Sequence, residues 1–184
     1  MGRPAVVDIN LGELADLPHR ASVALAWRCA ERMSPFFRLP DDFDQRDRWR
    51  TMATDILRRV REYVEGADDV GGDLETAVKA AYEMAEATAG PTQFAGYVVA
   101  HSLQTLAHAI KARDEPSGIA AMQVVASTFG ACRVLIQRSK PNGHELMVET
   151  LRIDMEKLRP VKGPVVLAEL GDLWPAGTPM EFLG

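Results

Sequence analysis

Residues 92–138, TQFAGYVVAHSLQTLAHAIKARDEPSGIAAMQVVASTFGACRVLIQR, decide the fold. Apolar residues occupy nearly every side of a helical wheel over 92–112 and again over about 117–138. RDEPSG supplies the turn between them. A helix that is apolar all round belongs in a core. Gln93, His101, Gln104, His108, Gln123 and Arg133 interrupt or border the two runs. They therefore read as the central helices of a bundle and not as membrane spans.

Outward from this pair, the flanking segments are one-faced. Upstream, Gly90-Pro91 breaks the chain and sets Pro91 at the start of a helix. The segment before it carries Ala77, Ala80, Ala81, Met84, Ala85 and Thr88, a small-residue stripe suited to close helix approach. Asp73 stands where its N-cap belongs, with Thr76 at N3. Trp49, Met52, Ala53, Ile56, Leu57, Val60, Tyr63 and Val64 share a face opposite Arg48, Arg50, Asp55, Arg58, Arg59 and Glu62, and Gly66 sits at the C-terminal cap position. From Pro18, Val23, Ala26, Trp27, Ala30 and Met33 recur at helical steps until Pro35. Residues 1–17 read as a mixed arm.

Downstream, Lys140-Pro141-Asn142-Gly143 is a turn, and Val148, Leu151, Met155 and Leu158 form one face of a sixth helix over about 143–158. The prolines and glycines of 159–184 forbid another long helix. Val165, Val166, Leu167, Leu170, Leu173 and Trp174 are nevertheless too apolar for a solvated tail. The expectation is one all-α domain over 1–184. It is a bundle of about six helices with two central apolar ones and an irregular proline-rich tail packed on the surface.

The chain has 184 residues, 47% hydrophobic and 26% charged, with a net charge of −5. That apolar content supports a core. The acidic balance and the lack of a basic block argue against nucleic acid and anionic membranes as partners. No secretory h-region opens the sequence, so the expected location is the cytoplasm. Cys29 and Cys132, without metal-ligand spacing, read as buried free thiols.

No motif dictates a reaction. His101 and His108 share a helix face with Gln104. This is either a metal-binding or acid–base pair lining a pocket, or two core histidines hydrogen-bonded in place. Two helical turns, about 10.5 Å, is too far for both to ligate one ion. His144-Glu145 opens like a zinc-protease helix, but Val148 replaces the second histidine. Asp42, Asp44 and Asp47 lack the glycine and the bidentate glutamate of a calcium loop. Ser102 and Ser127 have no nucleophile-elbow glycines, and no phosphate-binding glycine loop occurs. The sequence therefore predicts no catalytic residue, no metal and no cofactor.

Arg28, Arg32, Arg46, Arg48 and Arg50 gather around the first inter-helix loop with Glu31, Asp41, Asp42, Asp44 and Asp47. A partner-binding patch and a solvated ion-pair network both fit. Asp68, Asp69, Asp73 and Glu75 form a second acidic group at a turn.

The stretch Ala26-Trp27-Arg28-Cys29-Ala30-Glu31-Arg32-Met33-Ser34-Pro35-Phe36-Phe37 resembles the opening signature of an all-helical class of immunity proteins that accompany bacterial polymorphic toxins. In that class an acidic loop with paired arginines follows, a place that Asp44, Arg46 and Arg48 occupy here, although Asp47 replaces the proline between the arginines. Gln93 to His101 is similar to its Gly- and His-containing central helix. Leu170 to Pro179 is similar to Gly-x-Leu-Trp-Pro-x-Gly-x-Pro endings of actinobacterial proteins. The resemblance spans about 20–112. It implies a non-catalytic module that binds and neutralises a cognate toxin domain; for a basic partner of that kind, the charged residues of the loop and the acidic turn, Glu31, Arg32, Arg46, Arg48, Asp68, Asp69 and Asp73, are the candidate contacts. The alternatives are a small-molecule or metal-binding protein, or an enzyme, with a pocket near His101 and His108, and a dimerisation module built on an Ala-rich helix face.

Overall fold

The computed structural model describes residues 8–139 and 143–175. Among them are seven α-helices and no strand. They are α1 (Leu11–Ala15), α2 (His19–Met33), α3 (Arg46–Glu65), α4 (Leu74–Glu86), α5 (Gly90–Asp114), α6 (Gly118–Gln137) and α7 (His144–Leu158). The chain is an all-α bundle. The turn expected at 140–143 lies, except for Gly143, outside the described residues, as do Glu181 and the end of the proline-rich tail.

The caps explain most boundaries. Asp73 accepts hydrogen bonds from the Glu75 and Thr76 amides, which fixes the start of α4. Gly66, at φ 126°, ends α3, its amide donating to the Glu62 and Tyr63 carbonyls. The arm expected at 1–17 contains α1, a helix the apolar pattern does not announce. Asn10 caps Glu13 and Glu13 returns the bond, a capping box that buries Leu14 beside Ile9 and Leu17.

α5 lies at the centre, packed against α2, α3, α4 and α6. Gly96 makes this possible on one side, since a Cβ there would stand 3.0 Å from the backbone of Ala85 in α4. α2 is enclosed more fully than its stripe predicts, with every residue from Ala21 to Ala30 buried. α6 is enclosed less. It packs on α1, α2, α5 and α7 and leaves its remaining side open.

Within the described residues, 159–175, the tail is pinned to the bundle. The Val165 amide donates to the Val64 carbonyl at 2.9 Å, and Lys157 Nζ donates to the Leu170 carbonyl at 2.7 Å. Val165 and Leu170 are buried, and half-buried Trp174 packs against the core.

Candidate functional site

Two surfaces could act on something outside the chain, and one buried cluster holds charged side chains inside it. The first surface belongs to α6. No charged residue occurs between Glu115 and Arg133. Ile119 is 73% exposed and Met122 70%. Ala126, also exposed, continues the same row at the next four-residue step, and Val125 and Phe129 are half-buried beside it. Arg133 closes the row, its guanidinium 5.7 Å from the centre of the Phe129 ring. By length and composition α6 could cross a membrane, and less than half of its apolar stretch is buried. Local periodicity explains why: Val124, Ser127, Thr128, Ala131 and Cys132 turn inward, while the outward row has no polar residue at the places a solvated helix supplies them.

The second surface is a cleft of about 400 Å³ where α4, α5 and α6 meet. Leu74, Glu75 and Val78 form the α4 wall, Gln104, Ala107, His108 and Lys111 the α5 floor, and Gln123 the α6 wall. Behind it the Tyr82 hydroxyl donates to Gln104 Oε1 at 2.6 Å and lies 2.9 Å from His101 Nδ1. A phenol has one proton, and the amide oxygen can only accept, so Nδ1 must carry the proton that His101 shares with Tyr82. His108 Nδ1 faces the Gln123 carbonyl at 3.1 Å and donates to it for the same reason. Both rings are thus held as the Nδ1–H tautomer, with Nε2 as the unprotonated acceptor.

Burial keeps these rings neutral. It lowers the His101 pKa, with the Gln104 hydrogen bond opposing. It also lowers that of His108, against the Gln123 bond and aided by the nearby Lys111 charge. Burial, with Tyr97 adding, pushes Tyr82 up to about 12, so it acts only as a donor near neutrality. Gly130 lets His101 lie so close to α6, since a Cβ there would meet the imidazole at 2.6 Å. The pocket expected near His101, Gln104 and His108 therefore has Gln104 and His108 in its lining. His101 sits one turn away beside Tyr82. Among the described residues no three His, Cys, Asp or Glu side chains converge as a metal site.

The arginine cluster expected at the first loop is divided. Arg28 and Arg32 are buried, 2% and 0% exposed, and meet Asp154 of α7. Arg28 Nε donates to Asp154 Oδ2 at 3.0 Å, and Arg32 Nη2 donates to the same oxygen at 2.5 Å. Other donors reach the tail, Arg28 to the carbonyls of Gly171 and Asp172 and Arg32 Nε to that of Leu173, while Arg32 Nη1 and Asp154 Oδ1 are buried without a hydrogen-bond partner among the described residues. Arg32 is thus corrected from a surface contact to a structural one, because its guanidinium faces inward from the core helix.

Arg46 and Arg48 remain at the loop, paired with Asp41 and Gln45. Glu31 is half-buried, and burial raises its pKa against the attraction of Arg61. Asp68, Asp69 and Asp73 lie on the α3–α4 turn with local duties. Asp68 pairs with Arg20 and Arg113, Asp69 accepts from the Gly71 amide, and Asp73 caps α4.

Neither a family model, a curated protein nor a solved structure matches this chain.

Sequence reasoning did not find Asp154, Tyr82 or Lys111. Asp154 has a signal: it lies one residue before Met155, inside the apolar face of its helix, and a carboxylate there requires a buried cation. Tyr82 has none, since its partners come from the next helix in the chain.

Proposed function

We propose that the chain is a non-catalytic protein-binding module that docks a partner through the outward row of α6. The observation that supports this is the open, uncharged face from Ile119 to Phe129. Contiguous apolar exposure of this kind marks interaction surfaces, and protruding Met and aromatic side chains serve as anchors. The charges around the row set its margin. The Arg113–Asp68 pair, at 3.3 Å, ties the acidic α3–α4 turn to the end of α5, just before α6 begins. Asp114 and Glu115 immediately precede α6 in the chain, and Asp68 is held to the same end through Arg113. A partner with an apolar centre and a basic rim fits such a face. The resemblance over 26–37 suggests a class for it, a basic toxin domain that this module would cover and neutralise.

The test is capture from a native lysate with wild type and with the double variant Met122→Lys/Ala126→Lys. Both positions are exposed, so the fold should tolerate them within about 0.5 kcal/mol. A protein retained by wild type and lost by the variant supports the proposal, and added salt should weaken its capture. Equal retention by both proteins, or binding to phospholipid vesicles in place of a protein, would overturn it.

A further inference from the structure

The cleft between α4, α5 and α6 brings together groups whose chemistry is complementary to one kind of molecule. Glu75 on the α4 wall and Lys111 on the α5 floor are both exposed and carry opposite charges. Lys111 is near enough for its charge to act on His108. Leu74, Val78 and Ala107 supply an apolar surface between them. His108 adds a fixed acceptor, because its Nδ1 proton is committed to the Gln123 carbonyl and the ring is neutral. Gln104 is fixed as well: its oxygen is taken by the Tyr82 hydroxyl, which leaves its amide as the donor end. Preset donors and acceptors around a partly apolar cavity are the usual construction of a small-ligand site, and a volume of about 400 Å³ suits a small metabolite.

We infer that this cleft binds a small zwitterion, an amino acid or short peptide, whose carboxylate is held by Lys111 and whose ammonium is held by Glu75. The body of the ligand lies on Leu74, Val78 and Ala107, and His108 Nε2 accepts from a donor group on it. This site uses none of the outward row of α6, so it stands or falls separately from protein docking.

Ligand-observed saturation-transfer NMR on the full chain tests the assignment with two mixtures at millimolar concentration, free L-amino acids and unblocked dipeptides. Signal from the first identifies an amino acid site, and signal from the second alone identifies a peptide site. In either case Lys111→Gln and Glu75→Gln should each weaken binding at least tenfold. N-acetylated and C-amidated versions of the bound compound should lose a similar factor. The His108 ring resonances should shift on titration while those of His19 stay in place. The inference is overturned if neither mixture shows transfer, if both substitutions leave binding intact, or if the blocked compounds bind as well as the zwitterions.

Discussion

Replacing Asp154 by Asn should cost more stability than any surface change in this protein. The carboxylate is 1% exposed, and its two arginine partners are 3% and 0% exposed at the side chain, so water screens none of the three. At 3.0 and 2.5 Å and an effective dielectric near 20, the two attractions are each about 5–7 kcal/mol. Desolvation of the charges offsets most of that in the intact cluster. The variant loses the attraction and keeps the desolvation of two guanidiniums, for a net loss of about 3–5 kcal/mol. For a chain of this length that corresponds to a fall in melting temperature of about 6–20 °C.

Urea denaturation followed by circular dichroism, with thermal melts alongside, gives both quantities. A second variant separates charge from packing. Arg28→Met, Arg32→Met and Asp154→Leu together remove every buried charge in the cluster and should recover most of the loss. A loss below about 1 kcal/mol for Asp154→Asn, or a triple variant as unstable as the single one, would refute the reasoning.

Truncation after residue 160 should lower the melting temperature clearly, because it removes the tail carbonyls that accept from Arg28 and Arg32, along with buried Val165, Leu170 and the Trp174 contact; an unchanged melting curve would contradict this. Gly130→Ala drives a methyl into the His101 ring and should destabilise by about 1–3 kcal/mol in denaturant titration. His101 and His108 have lowered pKa values in the folded state, so the unfolded chain takes up more protons. Stability should therefore be complete above pH 6.5 and fall as the pH drops through the lowered values, and His101→Gln should flatten the decline in melts between pH 7.5 and 5. Glu31, with its raised pKa, acts in the opposite sense, and Asp55 and Asp73, whose pKa values are lowered, lose their contribution only below the ordinary carboxylate range, outside this window. Cys29 and Cys132 are buried with their sulfurs 4.0 Å apart, and their hydrogen bond and burial hold the Cys132 thiol well up. Both should react with a thiol reagent in urea and neither in native buffer.

The elements were legible wherever apolar spacing or a cap announces them. Gly66, Asp73 and Pro91 mark helix ends in the sequence and do so in the fold. α1 was not legible from periodicity, since five residues cannot show a period, but Asn10 and Glu13 carry its capping box. The partition of surface was harder to read. α5 and α6 are both apolar all round and each packs against four other helices, yet α5 is enclosed while α6 leaves Ile119 and Met122 exposed, a difference that only the folded arrangement reveals. The arginines illustrate the same limit: Arg32 and Arg46 bracket one loop in sequence, yet helix phase sends one to Asp154 and leaves the other at the surface. The pocket was half legible, because Gln104 and His108 share a face of one helix, while Glu75 and Gln123 arrive from other elements.

The Arg28–Arg32–Asp154 cluster also sets an order of events during synthesis. Arg28 leaves the ribosome 126 residues before Asp154, and Arg32 leaves 122 residues before it. At about 5–20 residues per second, that gap is roughly 6–25 s. Throughout it, α2 carries two guanidiniums that have no carboxylate to meet at the centre of the bundle. The polar anchorage of α2 therefore closes only once α7 has been made, and the carbonyls of residues 171–173 that complete it come later still.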